Sequence, residues 1–318
     1  MNFPDPLLQL GFATLLEGAR DKLLLSALRS TVATLPTTEL DAQLAKFAPV
    51  KALAVLSGYG LRGETIFPVP LVLTSNPSLI GYYRLLLGYS QKQFYTSKTG
   101  ASKLKTMEAK GVLTNKAGAV LDEACQEFAR VADMLVQGLG SKLAGQALPH
   151  ELCLLTLGAQ FRGGANNQRG TDGIKAVFAV FQRVFEQETE KAGERSLALR
   201  NAAGKVVKIE LAGDPDVLIN TTMSDGQIRP VVAIEVKAGE DHSNIWNRVG
   251  EAEKSHLKAK NSGINERWTI INDPQASADK LESMSPSTTR FYQLLELTDD
   301  ESAAFSDFHS RVRDLVGL

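Results

Sequence analysis

The sequence predicts an α/β protein in which a mixed central sheet flanked by helices follows a mainly helical subdomain. Two observations predict this architecture. Up to about residue 145, apolar residues recur at the spacing of helical faces, for example at Leu121, Phe128 and Leu135. Beyond that point, short runs typical of strands combine with helical patterns in the order helix, three strands, helix, strand.

The first half reads as helices that end in a glycine-rich break. The segment Pro36-Thr37-Thr38-Glu39 combines the proline, the hydroxyls and the acid that often begin a helix. Glycines between Gly138 and Gly145, closed by Pro149, interrupt the helical pattern. We therefore predict a mainly helical subdomain at residues 1–145 and a second domain at residues 146–318.

The second half is predicted to form the sheet. It begins with a polar, glycine-rich loop, Arg162–Gly170, followed by a helix with an apolar face at Ile174, Val177, Phe178, Phe181 and Phe185. The predicted strands and intervening helix are Lys205–Leu211, Asp216–Thr222, Val231–Lys237, the polar helix from about Ser243 to Lys260, and Arg267–Ile271.

Composition excludes several classes of protein. The 318 residues carry a net charge of −1, and no apolar run is long enough to span a membrane. The start of the chain lacks the pattern of a secretory signal, and Cys125 and Cys153 lie in apolar helical patterns, so we expect reduced core thiols and a cytoplasmic location. A phosphate-binding Walker loop, a zinc-type cysteine–histidine cluster and a Gly-x-Ser-x-Gly elbow are all missing from the sequence. A nucleotide cofactor is therefore not expected.

One basic stretch stands out against this neutral balance. Between Arg84 and Lys116 the sequence has seven Lys or Arg residues, and Glu108 is the only acid. Such a stretch suits a phosphate backbone, because binding releases condensed counterions. A solvated helical face has the same composition, so the sequence leaves both interpretations open.

The sharpest chemical feature joins Asp216 to Glu235 and Lys237. In a strand, alternate residues share a side, so Glu235 and Lys237 lie on one face while Val236 and its apolar neighbours lie on the other. An acid and a lysine on an inner strand are costly to bury unless they are paired or bind a metal. If the strand that Asp216 begins lies alongside, two carboxylates and an ammonium converge.

Convergence of these groups suits phosphodiester hydrolysis. Asp216 and Glu235 offer hard oxygen ligands for Mg²⁺, and the Val236 carbonyl is a third ligand. A bound ion activates water and screens phosphate charge, either alone or as one of two ions. Lys237 would orient the attacking water or stabilise the transition-state charge. Asp214 is a rival metal ligand, and an edge strand with a surface salt bridge is the simpler interpretation of the same pattern.

These residues resemble the PD-(D/E)xK nuclease core that type II restriction endonucleases share. The stretches Ser243–His256 and Ser285–Tyr292 are similar to segments of such enzymes. With Gly81–Gly88 and Gln91–Tyr95, the whole chain is similar to the XcyI-type restriction endonucleases. An additional acid of the first core helix is not assigned; Glu186 and Glu188 are candidates.

The resemblance implies a restriction–modification enzyme. Its expected substrate is double-stranded DNA with the palindrome CCCGGG, cut after the first C by Mg²⁺-dependent hydrolysis that leaves 5′-phosphates. Two-fold DNA symmetry then predicts a homodimer. Two other functions stay open: a sequence-independent repair or structure-specific nuclease on the same core, and a DNA-binding protein without catalysis.

Reading G·C pairs requires side chains that reach guanine in the major groove. The predicted loop offers Arg162, Asn166, Asn167, Gln168 and Arg169, although an ordinary polar surface loop has the same composition. On the helix after Glu235 and Lys237, Arg248 is expected to approach the scissile phosphate. Lys254 is a further DNA-binding candidate, and His256 is either structural or a phosphate contact.

Overall fold

A seven-stranded sheet organises the second half of the chain and sets the positions of the predicted catalytic residues. The computed structural model describes residues 6–144, 147–239 and 245–318. The chain divides into two compact units, Met1–Gly164 and Ala165–Leu318. This division falls within a helix, whereas the sequence analysis placed the boundary after Gly145, a residue outside the described ranges.

The first unit is helical, as the apolar spacing predicted. Its short 3-10 segments are Gly63–Thr65, Pro77–Leu79, Ser97–Thr99, Ala101–Leu104 and Gly140–Leu143. Its α-helices are α1 Leu7–Leu23, α2 Leu25–Val32, α3 Thr37–Phe47, α4 Val50–Gly58, α5 Pro70–Ser75, α6 Ile80–Leu86, α7 Gln91–Phe94, α8 Lys105–Lys110, α9 Asn115–Gly118 and α10 Leu121–Leu139. On α10 the predicted apolar face is confirmed, since Leu121 and Phe128 are buried and Leu135 packs against the same core.

A buried ion pair holds part of this unit together. The Arg84 guanidinium is fully buried and donates two hydrogen bonds to the Glu108 carboxylate, at 2.8 and 2.7 Å. Gln91 and Tyr95 donate to the same carboxylate, at 2.7 and 2.5 Å. Gly81 makes room for it, because a Cβ there would lie 3.0 Å from the Glu108 side chain. Arg84 is therefore part of the core and is not available to a phosphate backbone.

Helix α11, Ala147–Val184, corrects the predicted loop at Arg162–Gly170. The chain stays helical through Arg162, Asn166, Asn167, Gln168 and Arg169. Apolar anchors on either side explain this result, since Cys153 and Leu157 are buried before the glycines and Val177 and Phe181 after them. Each interior glycine costs a helix only about 1 kcal/mol, which such packing outweighs. Cys153 and Cys125 are both buried free thiols, as predicted.

The second unit contains the sheet, with strands in sequential order. Its strands are β1 Thr189–Ala192, β2 Ser196–Arg200, β3 Val206–Leu211, β4 Val217–Thr222, β5 Ile228–Lys237, β6 Glu266–Ile271 and β7 Arg290–Gln293. The strands from β1 to β5 pair antiparallel, and β5–β6 and β6–β7 pair parallel. The accompanying helices are α12 Ile245–Asn261, α13 Ala278–Met284, α14 Leu294–Leu297 and α15 Ala303–Val316.

The predicted order of three strands, helix and strand corresponds to β3, β4, β5, α12 and β6. The sheet also includes β1, β2 and β7, which the sequence analysis missed. β1 is a polar run with an exposed pattern, and β7 has only four residues, so neither produces a clear alternation. The mixed α/β architecture is confirmed. Ser243 and Asn244, where the predicted polar helix began, lie outside the described residues.

Both faces of the sheet are covered. On one face, Phe181 of α11, Trp268 of β6 and Phe308 of α15 lie in one apolar core, and all three are fully buried. On the other face, Ala233 of β5 packs with Ala259 and Ile264, at and beyond the end of α12. In the described ranges, no helix is long and apolar enough to cross a membrane.

Candidate active site

The register of β4 and β5 brings Asp216 next to Glu235. Val217 pairs with Ile234 in this antiparallel ladder, so the position before Val217 faces the position after Ile234. Asp216 Oδ2 accepts a hydrogen bond from the Val236 backbone N–H at 2.8 Å. The backbone of β5 thus fixes the carboxylate of Asp216 beside that of Glu235.

Lys237 completes the group. Its Nζ donates to Glu235 Oε2 at 2.6 Å and lies 3.8 Å from Asp216 Oδ2. The side chains of Lys237, Asp216 and Glu235 are 17%, 19% and 6% exposed, so the cluster is largely buried but open to solvent. β5 pairs with strands on both sides, so the interpretation as an edge strand with a surface salt bridge is wrong.

Burial and the neighbouring charged groups shift the pKa values of Asp216 and Lys237. Burial, and then the neighbouring Glu235 carboxylate, raise the pKa of Asp216 above its ordinary value. Burial alone would lower the pKa of Lys237, but the charges of Glu235 and Asp216 outweigh it and raise that pKa, so Lys237 stays protonated. One ammonium thus faces two carboxylates, which leaves the site with excess negative charge.

Ser255 and Lys258 on α12 contact the acids of this region, and the sequence analysis gave neither a role at the site. Ser255 Oγ lies 2.6 Å from Glu235 Oε1 and also hydrogen-bonds Asp214 Oδ1. Asp214 Oδ2 accepts from Lys258 Nζ at 2.7 Å, a hydrogen bond that lowers the pKa of Asp214. Asp214 is therefore coupled to the cluster through a hydroxyl. Helical spacing could have indicated that these two residues act together, since Ser255 and Lys258 are three residues apart on one helix face.

His256, the next residue on α12, has a structural position. Its ring is fully buried, and Nε2 lies 2.8 Å from Thr269 Oγ1, on the strand beside Glu235. Thr269 in turn contacts Thr288 at 3.0 Å, and Thr288 contacts Ser285 at 2.7 Å. The suggestion that His256 contacts phosphate is wrong, because the side chain does not reach the surface.

Arg248 lies close to the end of β5. A Cβ built on Gly239 would fall 1.5 Å from Arg248 Nη1, so the guanidinium rests directly on the Gly239 backbone, two residues beyond Lys237. Lys254 is exposed on the same helix. Of the predicted DNA-contacting residues on α11, Arg162, Asn167 and Gln168 are exposed, and Asn166 and Arg169 are half-buried. Gln168 donates to Asp172 one turn further on, at 2.8 Å.

Within the described residues, no group of three or more His, Cys, Asp or Glu side chains is arranged to hold a metal ion. A cation at this site would rely on the carboxylate pair of Asp216 and Glu235, supplemented by backbone oxygen and water. Mg²⁺ usually binds in this manner, through one or two carboxylates and several waters.

Comparisons with known proteins identify the family of this chain. The XcyI restriction endonuclease family matches residues 13–318. The type II restriction enzyme Cfr9I from Citrobacter freundii is 45% identical over 318 residues, which cover 99% of this chain and 96% of the relative. The type II restriction enzyme XcyI from Xanthomonas campestris pv. cyanopsidis is 45% identical over 320 residues, covering 100% and 96%. The predicted family and activity are confirmed: this chain belongs to the XcyI restriction endonuclease family and is a site-specific DNA endonuclease.

Proposed function

We propose that Asp216, Glu235 and Lys237 are the catalytic residues of a Mg²⁺-dependent enzyme that hydrolyses both strands of DNA at CCCGGG, leaving 5′-phosphates. One observation carries the proposal: two carboxylates and an ammonium converge where β4 begins beside β5, with Lys237 Nζ 2.6 Å from Glu235 Oε2 and 3.8 Å from Asp216 Oδ2. A merely structural cluster would have little reason to keep excess negative charge in a site closed on several sides.

The donor set fits a hard divalent cation. Asp216 and Glu235 would hold it with the Val236 carbonyl. Burial, and then the charge of Glu235, raise the pKa of Asp216, and a bound cation would stabilise both ionised carboxylates. When bound, Mg²⁺ lowers the pKa of a coordinated water and screens the phosphate charge. Titration of the protein with Mg²⁺ distinguishes one bound ion from two.

The chain's own groups have distinct roles. The Val236 N–H holds the Asp216 carboxylate, while Ser255 and Lys237 hold the two oxygens of Glu235. Lys237 stays protonated and offers hydrogen bonds to an attacking water or to the transition-state phosphate. Arg248, held on Gly239, is the proposed contact to the scissile phosphate.

The fold we propose for this unit is the PD-(D/E)xK core. The order β3, β4, β5, α12, β6 supports it. So does the position of Asp216, directly before β4, beside Glu235 and Lys237 of the adjacent strand β5. The additional acid of the first core helix is still unassigned. Glu188 Oε1 forms an ion pair with Arg313 Nη2 at 2.6 Å, which makes Glu188 a poor candidate for a metal ligand.

We propose that polar residues of α11 recognise the DNA sequence. Arg162, Asn166 and Arg169 fall on one face of an ideal helix, and such a face suits the major groove. Asn167 and Gln168 lie off that face and would contact the flanking backbone, as would Lys254 on α12. A palindromic site requires two copies of this surface, so we propose a homodimer acting in the cytoplasm.

The test is digestion of sequenced plasmid DNA with and without Mg²⁺, alongside Glu235→Ala. Discrete fragments that begin after the first C of CCCGGG, absent with the variant or with chelator, are the expected result. Fragments at another fixed sequence would reject the CCCGGG assignment alone. Fragments without any fixed sequence would favour a repair or structure-specific nuclease. No metal-dependent cutting of unmethylated DNA would reject the catalytic assignment and leave a DNA-binding role.

A further inference from the structure

Four exposed lysines surround a depression on the surface of the first unit. Lys103 belongs to the 3-10 segment Ala101–Leu104, Lys105 and Lys110 lie at the two ends of α8, and Lys116 lies in α9. Together with Thr114 and Asn115 they line the depression. We call these four lysines the lysine patch.

Buried side chains fix the backbone of the lysine patch. Leu104 and Met107 are buried beneath Lys103, Lys105 and Lys110, and Ala117 is buried beside Lys116. Between α8 and α9, Gly111 has a φ of 65°, a conformation that glycine adopts without strain. A Cβ at Gly111 would also lie 3.1 Å from Ser78 Oγ, so the turn is closely packed. The lysines therefore extend from a well-anchored surface.

The charge of the patch is not neutralised locally. The segment's acid, Glu108, points into the core, where Arg84 binds it bidentately. Burial opposes ionisation of Glu108, but the hydrogen bonds and charge of Arg84, with hydrogen bonds from Tyr95 and Gln91, together outweigh it and lower the pKa. This carboxylate therefore carries its charge inside the protein. Across residues 6–144, 147–239 and 245–318, none of the four lysines has an ion-pair partner.

A neighbouring depression gives an internal contrast. It is lined by Lys98 and Lys103, but also by Glu123, Glu127 and the apolar side chain of Phe94. Carboxylates there would repel phosphate. The lysine patch has no acidic residue in its lining, so of these two depressions it is the one with the charge complementarity that a polyanion requires.

We propose that the lysine patch binds the phosphate backbone of the DNA substrate and supplies sequence-independent affinity. This inference rests on the proposed function. Lysine ammonium groups are flexible point charges suited to phosphate, and no arginine lines the depression to read guanine bidentately. The patch would therefore strengthen binding to cognate and non-cognate duplexes alike.

The experiment compares wild type, the quadruple Lys→Gln variant at 103, 105, 110 and 116, and Lys46→Gln as the control. Lys46 is an exposed lysine of the same unit that is paired with Asp122 at 3.6 Å. Binding to duplexes with and without CCCGGG is measured by fluorescence anisotropy in EDTA over a range of salt concentrations. Each lost phosphate contact should reduce the slope of log affinity against log salt by about 0.9, so the quadruple variant should lose about 3 to 4 from the slope.

The quadruple variant should weaken binding to both duplexes equally and keep the single-turnover cleavage rate at saturating DNA. A slope unchanged from wild type and Lys46→Gln, in a variant with a wild-type thermal melt, would overturn the proposal. If the variant misfolds, acetylation of wild-type lysines decides the question. DNA should protect Lys103, Lys105, Lys110 and Lys116 but not Lys46, and equal labelling of all five would overturn it.

The two proposals fail in different ways. Wild-type protein that binds DNA with a steep salt slope but never cuts would reject the catalytic assignment and leave the patch standing. If the wild-type protein cuts at a fixed site and the quadruple variant keeps the full salt slope, the proposal for the lysine patch alone is rejected.

Discussion

Ser255 Oγ lies 2.6 Å from Glu235 Oε1, so the helix that follows β5 holds the acid that β5 carries. The same hydroxyl also bonds Asp214 Oδ1, while Lys237 occupies the other oxygen of Glu235. A hydroxyl has one hydrogen, so Ser255 donates to one carboxylate at a time. It ties Asp214 to the proposed metal ligand, and we assign it the role of orienting Glu235.

Ser255→Ala should lower the cleavage rate by about 10- to 100-fold and raise the Mg²⁺ concentration needed, as loss of a group that orients a metal ligand usually does. Ser255→Thr keeps the hydroxyl and should recover part of the rate. The measurement is the single-turnover rate over a Mg²⁺ titration. Ser262→Ala, an exposed serine just beyond α12, is the control. Equal rates for Ser255→Ala and Ser262→Ala would exclude this role.

Lys237→Gln should reduce the single-turnover rate about 100- to 1,000-fold, because it removes a charged donor from the reacting phosphate. Metal-free binding of DNA should stay near wild type, since the site is small compared with the DNA interface. Lys258→Gln is the matched control: the Lys258 side chain is 71% exposed, and its ammonium pairs with Asp214. An equally large reduction of the single-turnover rate in Lys258→Gln would show that Lys237 and Lys258 do not differ in role.

Gly239→Ala should impair cleavage in the same way as Arg248→Gln. A Cβ at Gly239 would overlap the Arg248 guanidinium and displace it from the end of β5. Gly250→Ala provides the control, because a Cβ at Gly250 meets nothing within 4 Å and alanine favours the helix. Rates and DNA affinities of the three variants are compared. Wild-type cleavage by Gly239→Ala would mean that Arg248 is not held there for catalysis.

His256 should make the free energy of unfolding depend on pH. Burial lowers its pKa from 6.5 to about 4, so the unfolded chain takes up a proton at a higher pH than the folded chain. The full stability is therefore present above pH 6.5 and decreases as the pH falls towards 4. The total loss from this group is about 3 kcal/mol. Urea unfolding of wild type and His256→Gln across this range should give a shallower dependence in the variant, and parallel curves would contradict the assignment.

Arg84→Met should destabilise the protein by about 3 to 5 kcal/mol, because it leaves the Glu108 carboxylate buried without its cation. Arg130→Gln is the matched control: Arg130 also binds a glutamate, Glu127, but both side chains are more than 60% exposed. Solvent screens that pair, so its loss should change stability far less. Chemical denaturation measures both. Similar losses of stability in the two variants would show that burial does not increase the stabilising effect of the Arg84–Glu108 pair.

The sequence by itself indicated the faces of the strand that carries two of the proposed catalytic residues. Alternation in Val232–Lys237 placed Glu235 and Lys237 on one face, and the ladder of β4 and β5 confirmed that Asp216 lies beside them. Local periodicity suffices here because side-chain direction in a strand follows from backbone geometry alone. The helical character of the first unit was predictable for the same reason.

Only the tertiary structure decided how more distant groups combine. Glycines and polar residues favoured a loop at 162–170, yet packing at both ends of α11 keeps that segment helical. Ser255, Lys258 and Asp214 meet because α12 packs beside β5. Glu108 turns inward because Arg84 is buried, and this leaves the lysine patch without an opposing acid. Such outcomes depend on which surfaces are buried together, and contacts between distant segments leave no periodic signal in a single sequence.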